Sequence, residues 1–175
     1  MVVALWAVGA WAQAVPTPLG LLVLLKVLTY DTRFGEHGSG DFVVLVPYDA
    51  ALLSEARELV SAGGALDTQK INERPLVFEA VALEDLDARL KARAAAAVLL
   101  PRGLNGPGLS RALEAASTRR AYCLALTEDQ VKAGAVLGVG LANGRPQPLV
   151  NASAAKASGV EFAPSVLRLA RVLTP

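Results

Sequence analysis

The chain has 175 residues, of which 53% are hydrophobic and 19% charged, and its 17 basic and 16 acidic side chains leave a formal charge of +1. That length suits one domain and leaves little room for a second. A near-neutral balance excludes an electrostatic nucleic-acid binder, which needs a concentrated basic face. One cysteine and one histidine exclude an internal disulfide and a Cys/His zinc site.

The first charged side chain is Lys26, so 25 residues pass without one. Val2 to Ala12 reads as the apolar core of a secretory signal peptide, with Ala12-Gln13-Ala14 as the small-x-small site before cleavage. This places a leader at 1–14 and a single mature domain at 15–175. Two other readings stay open. A membrane span is broken by Pro16 and Pro18 into runs shorter than the roughly 20 residues a bilayer needs. A buried cytosolic helix would have to find partners for the indole N–H groups of Trp6 and Trp11. The leader lacks a Lys or Arg before its apolar run.

Leu19 to Leu28 reads as a short buried helix, followed by Tyr30-Asp31 and by a turn-rich loop over residues 35–41. Phe42 to Val46, stopped by Pro47, is an apolar run suited to a strand covered on both faces. Ala50 to Ala62 carries Leu52, Leu53, Ala56, Leu59 and Val60 at helical spacing, with Gly63-Gly64 as the stop. Pro75 to Val81 is a second strand. Leu83, Leu86 and Leu90 then mark one face of a helix with acids first and bases last, as its dipole favours.

The alternation continues with a strand at Ala96 to Leu100, a helix at Leu109 to Thr118, a strand at Tyr122 to Leu126 and a short helix at Glu128 to Lys132. Val136 to Ala142 and Gln147 to Val150 flank Asn143-Gly144, a pair that favours a type I′ turn, so an antiparallel hairpin is predicted. Asn151 can cap a short helix that Gly159 ends. Pro164 then opens a last helix with Val166, Leu167, Ala170 and Leu173 facing inward. The predicted fold is α/β, a three-layer sandwich with a mostly parallel sheet and a C-terminal antiparallel hairpin.

The chemistry-bearing motifs reduce to structural readings. Gly138-Val139-Gly140 has its next glycine at Gly144 and enters a hairpin instead of the helix N-terminus that a phosphate requires. His37 sits in a Gly-Ser-Gly loop and reads as solvated, without the rigid support of a catalytic base. Glu84, Asp85 and Asp87 open a helix, and Glu128-Asp129 follow Thr127, a candidate cap. Cys123 reads as a small buried hydrophobe. No nucleophile, base and orienting group can be assembled, so no catalytic residue, cofactor or metal is expected.

Ligands of parallel sheets bind outside the carboxyl ends of the strands. Those ends offer Tyr48, Asp49, Arg102, Thr127 and Glu128, an aromatic ring, a cation and two carboxylates that could form a ligand or partner rim.

Two segments carry a family likeness. Pro148 to Phe162, with Asn151, an Ala-rich stretch, Gly159 and Phe162, is followed by Val166-Leu167-Arg168-Leu169-Ala170-Arg171-Val172, and this run resembles the closing segment of the YfiR/HmsC-like family. Leu25-Lys26-Val27-Leu28-Thr29-Tyr30-Asp31 is similar to its opening helix. The resemblance implies an exported, non-catalytic periplasmic protein. Its expected partner is an inner-membrane sensor, a diguanylate cyclase or histidine kinase, which would link it to cyclic-di-GMP and biofilm formation. No nucleic acid and no stable membrane insertion after cleavage are expected, and a homodimer is compatible with this reading. The best-known member of that family ties its activity to redox state through disulfides, and this chain departs from that pattern by keeping Cys123 alone. The residue-level alternative is a small periplasmic solute-binding domain that uses the strand-end rim. The matched residues themselves read as structural, with Asn151 as a cap, Phe162 in the core, and Leu167, Leu169 and Ala170 packing the last helix.

Overall fold

The computed structural model describes residues 14–93 and 95–174. The leader expected over 1–14 lies, apart from Ala14, outside the described residues. Helix α1 (Thr17–Leu28) starts without a side-chain cap but with Pro18 in its first turn, where no backbone N–H is lost to the helix. It buries Leu21, Leu24, Leu25 and Leu28.

Strand β1 (Phe42–Tyr48) runs two residues further than its sequence suggests. Pro47 sits within it, opposite Val81. Helix α2 (Leu53–Gly64) begins later than expected because Asp49 Oδ1 accepts the N–H groups of Ala51 and Leu52 at 3.0 and 3.1 Å and holds those residues in a turn. Gly63 lies inside this helix instead of ending it, since a Cβ there would sit 2.5 Å from the Phe78 ring.

A short strand absent from the sequence reading, β2 (Lys70–Ile71), pairs antiparallel with β3 (Arg74–Ala82). The turn between them uses positive φ at Asn72 and Glu73. A 3-10 turn leads into α3 (Leu86–Arg93), followed by β4 (Ala97–Leu100), α4 (Gly106–Thr118), β5 (Tyr122–Ala125) and α5 (Glu128–Ala133). The predicted hairpin forms as β6 (Leu137–Ala142) and β7 (Arg145–Asn151), with Asn143 and Gly144 at φ 51° and 73°, as a type I′ turn demands.

The eight strands form one sheet in the order β2-β3-β1-β4-β5-β6-β7-β8. Strands β3, β1, β4, β5 and β6 are parallel to one another, while β2 at one edge and β7 beyond β6 pair antiparallel. From β1 the chain moves to one side to form β3, then returns across β1 to β4 and continues outward. Right-handed crossovers therefore place α2 on one face and α3, α4 and α5 on the other. Helix α1 packs beside α2, and α3 beside α4. Both faces of β1 and β4 are covered, which is why their apolar residues run almost without interruption.

Near the C-terminus the structure departs from the expected closing helix. Asn151 caps α6 (Ala152–Ala157) by accepting the Ala154 N–H at 3.0 Å, and Gly159 takes φ 73° just beyond its end, as the sequence suggests. Helix α7 (Pro164–Leu167), however, stops after one turn, and β8 (Arg171–Leu173) pairs in parallel with Leu149, Val150 and Asn151. The open edge of β7 offers backbone groups that a strand satisfies directly, whereas one extra helical turn must first bear its nucleation cost. As a result Leu167 and Leu169 do not pack inward and are 38% and 73% exposed, while Val166 and Phe162 remain buried.

Candidate functional site

The strand-end rim comes together at one end of the sheet, beside the reversal between β1 and β4, but Asp49, Arg102, Thr127 and Glu128 each have a structural partner. The Arg102 guanidinium donates to Leu126 O at 2.8 Å and to Val15 O at 2.6 Å, joining the β4 and β5 ends to the chain just before α1. Its own N–H and that of Gly103 donate to the Glu55 carboxylate at 2.5 and 3.2 Å. A carboxylate from α2 thus fills the pair of backbone donors at which an anion would sit. Thr127 caps α5 through the Gln130 N–H. Glu128 pairs with Lys132 at 2.9 Å and with Arg171, anchoring β8. Asp49 holds the turn before α2, and the half-buried Tyr48 ring packs on the core.

His37 overturns its solvated reading. Its side chain is 5% exposed, and its ring lies 4.2 Å from that of Tyr122, centroid to centroid. The loop is held down by Arg74, which donates to the carbonyls of His37, Gly40 and Asp41 and lies over the Phe34 and Phe42 rings. His37 Nδ1 is 2.9 Å from Arg120 O, which makes that nitrogen the donor, and Nε2 faces Asp31 Oδ2 at 3.5 Å.

Asp31 is the hub of this cluster. The buried Tyr122 hydroxyl donates to Oδ2 at 2.5 Å, while the N–H groups of Arg33 and Glu161 donate to Oδ1 at 3.0 and 2.9 Å. Burial first, and the bond to Asp31 second, hold the Tyr122 hydroxyl protonated well above the usual tyrosine range. Two backbone bonds continue the ladder, Thr32 N to Glu161 O and Ala163 N to Tyr30 O, both at 2.9 Å. The end of α1 is thereby fixed to the segment that enters α7. Cys123 is buried, and burial pushes its thiol up to about 12, so it stays protonated and unreactive at neutral pH.

The walls fixed by Asp31 enclose a groove of about 660 Å³ between the C-terminal half of α1, the outer part of the β6–β7 hairpin and α7. Leu22, Val23, Val27, Val166 and Leu169 line it, with Lys26 and Arg145 among its polar lining and no carboxylate. Leu22 is 41% exposed. Of the other exposed large apolar side chains among the described residues, Tyr30 and Leu169 also line it, Leu167 and Val172 line a separate pocket beside α6, and Leu19 and Leu141 lie on α1 and the hairpin outside either lining. Sequence reading missed this surface because α1 is apolar almost all round and so reads as wholly buried. The glycine motif also finds its reason. A Cβ on Gly138 would meet Val131 at 2.2 Å, so the residue is a close-packing device for α5 on β6.

Among the described residues no helix is long and apolar enough to cross a membrane. None of the curated proteins matches the chain. Solved structures share the fold. The ABC domain in complex with L-Trp from Streptococcus pneumonia superposes with a TM-score of 0.59 at 12% identity, over 90% of this chain and 60% of that one. A conserved domain protein from Vibrio cholerae gives 0.57 at 14%, over 91% and 60%. The ligand-free, open form of a substrate binding protein with adhesive properties from Clostridium difficile gives 0.62 at 13%, with the same coverage. The chain thus spans about 60% of the length of these structures. A family model described as YfiR/HmsC-like matches residues 24–171, from the middle of α1 into β8, and the chain belongs to that family.

Proposed function

We propose that the protein is a non-catalytic periplasmic regulator that docks on the periplasmic part of an inner-membrane sensor, a diguanylate cyclase or a histidine kinase, and so acts on cyclic-di-GMP and biofilm signalling. In this reading residues 1–14 are the leader removed on export and 15–175 form the single working domain. Membership in the YfiR/HmsC-like family supports the periplasmic, cyclic-di-GMP setting in general. The observation that carries the docking part is the apolar lining of one groove, in which Leu22, Tyr30 and Leu169 stay exposed. Contiguous exposed apolar surface of this kind marks an interaction site more often than an accident of folding.

The test uses a strain lacking the chain, complemented with the wild type or with Leu169→Asp, and reads intracellular cyclic-di-GMP by mass spectrometry. The wild type is expected to reset the nucleotide level, and Leu169→Asp, exported in equal amount, is expected not to. Equal nucleotide levels in all three strains would count decisively against the reading.

A second reading is a small-solute site at the rim of Tyr48, Asp49, Arg102, Thr127 and Glu128. It draws support from the position of the rim beside the β1–β4 reversal, where open α/β sheets take ligands. Solute-dependent thermal stabilisation that Arg102→Ala removes would favour it over docking.

A further inference from the structure

We infer that the groove between α1, the hairpin and α7 takes an apolar segment of its partner that is bordered by carboxylates. This rests on the docking reading above and adds the chemistry of what is docked. The floor is apolar, from Leu22, Val23, Val27 and Val166, and Leu169 stands at its edge, 73% exposed. An occupant must therefore bring apolar side chains of its own, because a polar one would lose its water without replacement.

The charges of the groove have one sign. Lys26 and Arg145 both line it and are exposed, and no Asp or Glu does. Neither forms an ion pair among the described residues, whereas the basic residues elsewhere that reach carboxylates do so in close pairs, Arg119 with Asp87 and Arg89 with Glu79. Lys26 Nζ lies 5.3 Å from the centre of the Tyr30 ring, which keeps the cation beside the opening. Two cations beside an apolar floor select carboxylates that border an apolar stripe, and they disfavour a basic partner. A second copy of this chain presenting the same surface would set Lys26 and Arg145 against their own equivalents. Charge therefore argues for a different protein as occupant.

The chemistry is testable without knowing the partner. Two synthetic helical peptides carry the same Leu/Phe stripe, one bordered by Glu and the other by Lys, and each is titrated into the exported full chain at low and physiological salt. The Glu-bordered peptide is expected to bind at least tenfold more tightly, with the gap narrowing as salt rises. In the double variant Lys26→Glu/Arg145→Glu the preference is expected to invert, with thermal midpoint unchanged. Equal affinity for the two peptides, or a preference that the double variant does not move, overturns the inference. So does self-association of the wild type in sedimentation that Leu169→Asp abolishes, since the groove would then hold a second copy. If cyclic-di-GMP fails to respond while the Glu-bordered peptide still binds at Lys26 and Arg145, the sensor reading falls and this one stands. The reverse outcome separates them the other way.

Discussion

Helices α3 and α4 cover one face of the sheet, while α1, the outer part of the β6–β7 hairpin and the C-terminal stretch form a groove at its other end, and the two regions treat their apolar residues differently. On α3 and α4 the apolar positions Leu86, Leu90, Ala112 and Ala116 are buried, and the outer surface is tied by the two-pronged contact of Arg119 with Asp87 at 2.7 and 2.8 Å. On α1 and the C-terminal stretch, buried Leu24, Leu28 and Val166 alternate with Leu22, Leu167 and Leu169 left in solvent. Both regions close the same core, yet of the two only the second leaves leucines in solvent. The first region is finished as a surface, and the second has its walls fixed from within by Asp31 but no cover among the described residues.

The sharpest way to break that comparison is to truncate one leucine from each side. Leu90→Ala removes a side chain that is 2% exposed and is expected to cost about 2–5 kcal/mol in urea unfolding. Leu169→Ala is expected to stay within about 0.5 kcal/mol of wild type. Similar losses at the two positions would show that the second region is ordinary core.

Next in size is Tyr122→Phe, which leaves one Asp31 oxygen without its buried donor. A loss of about 1.5–3 kcal/mol is expected by the same measurement, as for a hydrogen bond to a charged group. The variant is also expected to speed hydrogen exchange at the Glu161 and Ala163 amides, which the ladder from α1 protects. Unchanged exchange there would mean that Asp31 does not hold the groove wall.

The smallest effect concerns Glu128, which joins α5 to β8. Hydrogen bonds from Lys132 first and Arg171 second lower its pKa below the ordinary carboxylate value. A carboxylate more acidic in the folded chain than in the unfolded one adds stability above its unfolded pKa and loses it as pH falls through the folded value. The thermal midpoints of wild type and Glu128→Gln are therefore expected to differ slightly at pH 7 and to converge as pH falls below the ordinary carboxylate range, with the difference damped by salt. A gap that widens on acidification would contradict the role given to these pairs.

Much of this fold is legible in local sequence, for physical reasons that also mark where legibility ends. The Asn143-Gly144 turn, the Asn151 and Thr127 caps and the apolar strands depend on neighbours within a few residues, and they form where expected. The closing segment fails because helical spacing at Val166, Leu167, Ala170 and Leu173 competes with a distant open edge, that of β7. His37 fails for the same reason. Its glycine-rich flanks suggest solvent, but what buries the ring is Tyr122 and Arg120, more than 80 positions along the chain. The rim residues are placed at one end of the sheet as foreseen, yet the partner that fills the donors of Arg102 and Gly103 is Glu55, a helical residue with no local mark. The groove needed α1, the hairpin and α7 to be assembled before its unpaired cations could be seen together.

The most direct test of the docking face is site-specific photo-cross-linking in native envelopes, with the cross-linker placed in one strain at Leu169 and in another at Glu114, an exposed position on α4. Capture of an inner-membrane cyclase or kinase from Leu169, and not from Glu114, is the expected result. Capture of that sensor from Glu114 but not from Leu169, or from neither, would contradict it.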